Sequence, residues 1–439
     1  MNALTEYWTP LSNIFNPLFP LAGAQWEPCY VEREESPIPL LTLALQPGRV
    51  SRPVLLAGAR GTGKTSALIR LARSLGDAYT VIWIDLHSSM DLYHFSILDL
   101  LLALGGGAYK VAVQEGLAPD PQPWQDMVAA LSTLVGEVRR QPAFSIPADA
   151  LLADMVCARA DPAEPLPLQE TSKSQRYSLK LVGEELKQLL AGLVLREMVG
   201  RVNAIFADVK IKGGRDTLVI ADGLDKIEPA LAEEVFDYIS VLTGLEGRAI
   251  YTIPYGFYKS SGQLREDFEV EELPNISLHP YREPERRHEP GFAILHEVAR
   301  RRVQAVGHKL EDVIEPEALE ALIAASGGVL RGFIKLMRQA MTQAEWRETH
   351  QISANDAQWA IGHERRRMQG ALSPTDMEYL WNFLKTKTWG DEKKFMTEVH
   401  QGNILTYAGK GRIWYTVHPI LVPILQEWYE EEREERGQK

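Results

Sequence analysis

Two rhythms of apolar residues run along the chain. Short, β-branched runs read as buried strands: "PVLLA", "YTVIWIDL" at 79–86, "DTLVIA" and "RAIYTIP". They are mostly apolar and too short for helices. Elsewhere apolar residues recur three and four apart, the spacing of one helix face. This is so in "SALIRLARSL", in "PALAEEVFDYISVLTGL" and, beyond about Glu285, in "GFAILHEVARRRVQAVG", "PEALEALIAAS" and "GGVLRGFIKLMRQAMTQAEW". "DLYHFSILDLLLAL" reads as a helix opened by an Asp cap, and "ISANDAQWAIGHERRRM" as one opened by Ser353. A further short strand is expected near "VEELPNISL". Strands alternating with helices imply a parallel sheet covered on both faces. The ligand of such a sheet lies at the carboxyl ends of its strands.

The pattern also divides the chain. Residues 1–50, rich in proline and aromatics, read as an arm with one short helix, packed on the body or on a partner. Residues 51–284 carry the strands and form the core. Within them, about 105–200 is a helical insertion, broken by "APDPQPW" and "RADPAEPLPLQE", with a mobile loop near 158–175. Residues 285–370 are helical. Residues 371–439 read helix, helix, hairpin ("NILTYAGKGRIWYTV", turning at Gly409 and Gly411) and a last helix with an acidic tail.

Composition narrows the class. Apolar content of 45% and charged content of 24% over 439 residues are ordinary for a globular chain of two or three domains. Two cysteines, Cys29 and Cys157, make neither a disulfide framework nor a four-ligand zinc site, which fits a reducing cytoplasm. No basic start followed by an apolar run opens the chain, and no run reaches ~18 apolar residues, so neither a signal peptide nor a membrane span is expected. The net charge of −12 is unlike the basic footprint of a dedicated nucleic-acid binder, although a local basic patch can still bind phosphates. The basic clusters at Ala299–Arg302 and Glu364–Arg367 read as solvated helix faces.

The most specific chemistry lies in "GARGTGKT", Gly58–Thr65, which satisfies G-x-x-x-x-G-K-[ST] between a strand and a helix. Its glycines let backbone N–H groups face a phosphate, and the following helix presents its positive end to the same charge. Gly58, Ala59, Arg60, Gly61, Thr62, Gly63, Lys64, Thr65 and Ser66 are the expected nucleotide-binding residues. Lys64 is placed to reach the β- and γ-phosphates and Thr65 to offer its hydroxyl to magnesium.

"LVIADGLDKIEP", Leu218–Pro229, runs four apolar residues into Asp222, where the magnesium-side acid of such a site is expected. The plainer alternative is a helix cap. Many ATPases follow this aspartate with a glutamate; here Gly223 follows, and it has no side chain to polarise water. Asp225 and Glu228 are the nearest candidates for a base, with a structural role in the turn as the alternative for Asp225.

"VIADGLDKIEP" resembles the second motif of the STAND and origin-recognition-like groups of P-loop NTPases. Those groups share an AAA+-type core, a helical lid and a winged helix. By the same resemblance, "RAIYTIP" looks like their sensor strand, with Thr252 placed to contact the γ-phosphate or water. "ASGGVLRGFIKLMRQA" looks like the lid motif, with Arg331 in the sensor-two position. "YTVHPILVPIL" is similar to a winged-helix phrase, with His418 and Pro419 after the wing. The resemblance spans about 50–104 and 215–430. It implies a three-layer α/β P-loop domain with a parallel sheet, a lid at 285–370 and a winged helix at 371–439. It also implies ATP or ADP with magnesium as cofactors, and an arginine finger among Arg265, Arg282 and Arg286 from a neighbouring subunit. For Arg331 a structural ion pair is the alternative, since an Arg at a helix start opposes the helix dipole.

Two departures stand out. Lys226 replaces the acid usual after the second Asp, and a repeat sensor and effector domain are missing, so a partner protein is expected to supply them. The function implied is an ATP-binding, slowly hydrolysing switch that forms a homo-oligomer or docks a protein partner, in bacterial signalling or defence against foreign DNA. The alternative is a DNA-binding ATPase or loader of the origin-recognition kind. Its candidate DNA contacts are Lys385, Lys387, Lys393, Lys394, Lys410 and Arg412, offset by Asp391, Glu392, Glu398 and the tail. Trp389, Trp414, Tyr415, Trp428 and Tyr429 are expected to fill a small core rather than stack on bases.

Overall fold

The structure, a computed structural model, describes residues 3–17, 26–139, 193–260, 264–281, 286–409 and 411–437, with residues 148, 152, 158–161, 179 and 283 besides. Along the chain come α1 (Ala3–Ile14), β1 (Val54–Ala57), α2 (Lys64–Leu75), β2 (Tyr79–Asp85), α3 (Leu86–Ser89), α4 (Ile97–Gln114) and α5 (Pro121–Arg139). Then follow β3 (Ala158–Arg159), α6 (Leu193–Gly213), β4 (Asp216–Asp222), β5 (Arg248–Ile253) and β6 (Glu269–Glu272). The last part holds α7 (Glu289–Ala305), α8 (Pro316–Ser326), α9 (Leu330–Trp346), α10 (Ala354–Gln369), α11 (Pro374–Thr386), α12 (Glu392–Gln401), β7 (Ile404–Gly409), β8 (Arg412–Val417) and α13 (Leu421–Gly437). Contacts group these into two compact units. One comprises Met1–Ser36, Gly58–Ser66 and Leu273–Lys439; the other comprises Pro37–Ala57 and Ala67–Glu272.

The second unit is built on a six-stranded sheet of order β3-β2-β4-β5-β1-β6. The five longer strands are parallel, and the two-residue β3, which the sequence pattern did not reveal, pairs antiparallel to β2. β1, β2, β4 and β5 are buried along nearly their whole length. Continuous apolar runs of this kind are what a sheet covered on both faces requires. One face packs Leu55, Ile84, Val219 and Tyr251 into a cluster with α4, α5 and α6.

Two element boundaries differ from expectation. The helix expected to open on an Asp cap at residue 91 begins instead at Ile97, on a capping box in which Ser96 and Asp99 bond each other's backbone N–H. Asp91 instead heads a turn, accepting from Tyr93 N at 3.1 Å. The helix then runs through Gly105–Gly107 to Gln114, where the sequence suggested a change of pattern. The glycines allow close packing, since a Cβ at Gly105 would lie 2.7 Å from Met127 Sδ. The stretch "PALAEEVFDYISVLTGL" is likewise two helices, Pro229–Phe236 and Ile239–Thr243, broken at Asp237 and Tyr238. α4 is long and apolar enough to cross a membrane by composition, yet 78% of it is buried against the sheet and its neighbours, as a core helix. Most of the loop expected near 158–175 lies outside the described residues.

The first unit is helical, with the hairpin β7–β8 as its sheet. Here the arm proves more regular than one short helix. α1 has twelve residues, followed by shorter helices at Trp26–Cys29 and, in the other unit, Ile38–Ala44. Trp8, Leu11 and Phe15 are fully buried among residues of α7, α8 and α9. The Trp8 indole N–H donates to Thr349 O at 2.9 Å. The expected solvated face at Ala299–Arg302 is corrected at its last residue. Arg302 is buried, donates to Ile14 O and lies 5.7 Å from the Phe15 ring centroid. Burial pulls its guanidinium down to about 10. An arginine is tolerated there because its charge meets a carbonyl and an aromatic face. In the other basic cluster, Arg367 and Lys335 pair with the buried Glu364.

α11, α12, the hairpin and α13 follow in the order helix, helix, two strands, helix. Their aromatic residues pack together: Trp389 and Tyr415 both meet Phe395, and Trp381 stacks on Tyr429 at 4.5 Å between centroids. Trp414 lies between Tyr281 and Tyr407, 5.8 Å from each.

Candidate nucleotide site

Strand β1 ends at Ala57, the register partner of Ile253 at the carboxyl end of β5, and the chain passes directly into Gly58. The loop needs its glycines. Gly61 and Gly63 have φ of +90° and +96°, a region that L residues avoid. Thr62 Oγ1 bonds Ala59 O at 3.1 Å and fixes the curl. The buried Lys64 turns its ammonium back onto Gly58 O at 2.8 Å and Ala59 O at 3.0 Å. α2 begins at Lys64, which places Thr65 and Ser66 in its positive first turn. Loop, lysine and helix start form the cradle that a phosphate chain requires.

Two further elements of the same unit hold this loop. α9 starts against it, for Arg331 N donates to Gly61 O at 3.0 Å. The Arg331 side chain is exposed, and among the described residues no carboxylate pairs with it. The other support is Arg33, from "YVEREES" in the arm, which donates to Thr62 O at 2.9 Å and to Pro274 O at 3.2 Å. Desolvation lowers the pKa of its guanidinium. Sequence reasoning missed Arg33, although it is a lone basic residue among glutamates in an otherwise apolar arm.

The second motif lies in the sheet unit. β4 ends on Asp222, which is 6% exposed. Gly223 follows with φ +107°, then a single turn of 3₁₀ helix, Leu224–Lys226, that buries Asp225. The Thr252 hydroxyl accepts from Gly223 N at 3.0 Å and reaches Ala221 O at 3.5 Å. It therefore fixes the turn that carries both aspartates. Glu228 occupies the N-cap position of the next helix without a side-chain bond to it. Asp85 at the end of β2 is the register partner of Asp222.

Of the arginine-finger candidates, Arg265 is exposed, Arg286 pairs with Glu283 at 3.0 Å, and Arg282 lies outside the described residues. Near the hairpin, Lys394 is engaged by Asp376 and Glu398, Lys385 lies 4.4 Å from the Trp381 ring centroid, and Arg412 lies 5.3 Å from that of Tyr281. Lys410 lies outside the described residues. His418 is buried, accepts from Ile420 N at 3.3 Å, and is pulled down to about 4 by burial.

Among the described residues no group of three or more His, Cys, Asp or Glu could hold a metal on its own. Magnesium takes hard oxygens and is commonly bound by one or two carboxylates together with substrate phosphates; each unit taken by itself offers such an oxygen, the Thr65 hydroxyl in one and the Asp222 carboxylate at the end of β4 in the other.

Strand, glycine loop and helix in this order, on a parallel sheet of this strand order, define a three-layer P-loop α/β fold, accompanied by a unit of helices and one hairpin. No family model and no curated protein matches the chain. Among solved structures the chain is similar in path to the Aeropyrum pernix ORC2 protein in its ADPNP–ADP complexes. The TM-score is 0.42 at 11% identity, covering 96% of this chain and 98% of that one. It is similar also to the Thermotoga maritima RuvB Holliday junction branch migration motor, with a TM-score of 0.36, 13% identity, and 89% and 91% coverage. A chain of Drosophila ORC bound to DNA gives 0.37, 11%, 90% and 88%. These are likenesses of chain path, and no activity passes from them to this protein.

Proposed function

We propose that this chain binds ATP with magnesium at the loop Gly58–Ser66, hydrolyses it slowly, and uses the nucleotide state to switch its assembly with copies of itself or with a protein partner. The observation that carries this reading is the bond from Arg331 N to Gly61 O at 3.0 Å. It makes the start of the lid helix a direct neighbour of the loop that would hold the phosphates. Four residues before Arg331, Gly327 O accepts from the Tyr407 hydroxyl at 2.6 Å, so the hairpin contacts the same turn.

In this reading Lys64 leaves the carbonyls of Gly58 and Ala59 for the β- and γ-phosphates, and Arg331 supplies positive charge beside them. Thr65 and Asp222 hold magnesium, which would neutralise charge between the phosphates. Asp225 is the acid proposed to orient the attacking water, with Thr252 fixing the turn that positions it. The setting that the family resemblance suggests is bacterial signalling or defence against foreign DNA, in the cytoplasm. The test is phosphate release together with molecular mass by light scattering, in ADP and in ATP, for the wild type and Lys64→Ala. Two masses in the wild type and one in Lys64→Ala are expected. A single mass in the wild type with ATP demonstrably bound would end the switch reading.

A second reading, a DNA-binding ATPase, is favoured by one observation. Lys387, Trp389 and Lys393 are all exposed around the turn between α11 and α12, the pair that would be the helix-turn-helix of a winged helix. Anisotropy of a labelled duplex at low salt tests it. Lys387→Glu with Lys393→Glu should lower affinity and flatten its salt dependence.

A further inference from the structure

Two surfaces, one in each unit, carry rows of like charge that no ion pair relieves among the described residues. In the sheet unit, the segment after the helix Ile38–Ala44 runs along the amino ends of the strands. Leu45 O accepts from the Tyr79 hydroxyl at 2.7 Å, at the start of β2, and Arg49 O accepts from Arg248, at the start of β5. Arg248 also donates to Ser51 Oγ and, at 3.2 Å, to Ser51 O. Val54 opens β1 as the register partner of Ile250, so Arg52 and Arg248 each stand two residues ahead of that pair. Arg52 donates to Arg265 O at 2.9 Å and to Glu266 O at 2.7 Å. These bonds end on carbonyls and one hydroxyl, and they hold two guanidinium groups in place. Among the described residues no carboxylate pairs with Arg49, Arg52 or Arg248. Arg49 and Arg52 are exposed. This edge is the end of the sheet opposite to the one where β4 delivers Asp222, so the nucleotide reading makes no use of it.

The other surface belongs to the helical unit. Glu427, Glu430, Glu431 and Glu434 of α13 are exposed and spaced three and four apart, which puts them on one face. Like charges at this spacing destabilise a helix. Glu434 stands in the last turn, where the helix dipole favours a cation instead. Among the described residues no cation pairs with any of the four, neighbouring Arg433 included.

We infer that the acidic face of α13 on one copy of the chain docks on the Arg49–Arg52–Arg248 edge of a second copy. Charge complementarity selects this partner. The chain carries an arginine row without carboxylates and a glutamate row without cations, and each relieves the repulsion within the other. A basic edge on a chain of net charge −12 attracts the acidic surfaces of its own copies. Two different surfaces meet in this contact. It is therefore heterologous, and assembly continues into a ring or a filament rather than ending at a pair. The inference goes beyond the nucleotide reading and does not rest on it, so it is tested without nucleotide.

The experiment measures molecular mass by light scattering across a concentration series, at about 50 and about 500 mM salt. One variant reverses the arginine edge, Arg49→Glu with Arg52→Glu. The other reverses the helix face, Glu427→Lys with Glu430→Lys, Glu431→Lys and Glu434→Lys. Circular dichroism checks that each is folded. Arg49→Glu alone, which removes no side-chain bond seen in the structure, replaces the double variant if the loss of Arg52 loosens the edge. The wild type should exceed the mass of one chain at low salt and fall toward it at high salt. Each reversed variant alone should lose about 100-fold in association constant, because like charges then face each other. An equimolar mixture of the two should regain the wild-type mass, since each supplies the complement of the other. A wild type of one-chain mass throughout, a reversed variant that assembles like the wild type, or a mixture no heavier than its parts would each overturn the inference. Variants that expand at one-chain mass, and a chain reversed at both surfaces that regains compactness, would overturn it by placing the contact within one chain. Binding of a labelled duplex that is lost in Arg49→Glu, with no change in mass, would overturn it by assigning the arginines to nucleic acid.

Discussion

Gly328 offers the sharpest quantitative test of how the turn before α9 is built. Its φ is +76°, and a Cβ added to it would lie 1.8 Å from the carbonyl oxygen of Ile276. Gly402, at the C-terminal cap of α12, has a similar φ of +82° but nothing within 4 Å of the added Cβ. Alanine at either site meets the left-handed penalty of about 1–2 kcal/mol. At Gly402 that is the whole cost. At Gly328 the two backbones must also part by more than an ångström in rough terms, to reach ordinary contact. The bond from Ile276 N to Gly328 O, 3.1 Å long, is then lost. A buried group left unbonded adds about 1–3 kcal/mol, so Gly328→Ala should cost about 2–5 kcal/mol in total. For a unit of this size each kcal/mol lowers Tm by about 2–4 °C. Paired thermal melts of the two variants by circular dichroism therefore isolate the contact from the conformation. Losses within about 0.5 kcal/mol of each other would refute the claim that the Ile276 approach, rather than φ alone, makes glycine necessary there.

Other expectations follow from single side chains. Lys64→Ala should abolish the rise in Tm that saturating ATP gives the wild type, about 2.7 kcal/mol at a hundredfold excess over Kd; a preserved rise would show that the loop does not bind the phosphates. Trp8→Ala should destabilise the helical unit by about 3–5 kcal/mol, because the side chain is fully buried and bonded to Thr349; a loss under about 1 kcal/mol would mean that the arm is only loosely attached. Acid should act on the two units in opposite directions. His418, held neutral with its pKa lowered from 6.5 to about 4, contributes stability above pH 6.5 that is lost as pH falls through 4. Asp99, raised by burial from 3.8 to about 6, contributes stability below its ordinary value that is lost as pH rises through 6. Hydrogen exchange between pH 6.5 and 4.5 should show weaker protection around β8 and stronger protection around α4, and His418→Gln should remove the first trend.

The phosphate loop was legible because its chemistry is local: eight consecutive residues, a strand before and a helix after. The sheet was legible for a related reason, since each strand buried on both faces announces itself as a continuous apolar run. What escaped was non-local. Nothing near Arg302 in sequence says that it will meet Ile14 and Phe15, so a run of arginines looked like a solvated face. The start of α4 was misplaced because Asp91 and Ser96 are both acceptable caps, and only Ser96 has an acid three residues on to complete the reciprocal bonds. The pairing of Asp85 with Asp222 was not legible, because it depends on which strand lies beside β2. That neighbour, β4, is separated from it by about 130 residues of chain, a distance across which apolar periodicity gives no register.

The partnership of Trp8 with Thr349 has a consequence in time. The two residues are 341 positions apart. At translation rates of about 5–20 residues per second, α1 is made some 17–70 s before the backbone carbonyl that its indole bonds. Until the chain reaches Glu289, where α7 begins, the face bearing Leu4, Trp8, Leu11 and Ile14 has none of its final neighbours on α7, α8 and α9. α1, made well before these partners, is therefore late to find its place. For most of its synthesis a nascent chain therefore carries an apolar helix face that α7, α8 and α9 do not yet cover.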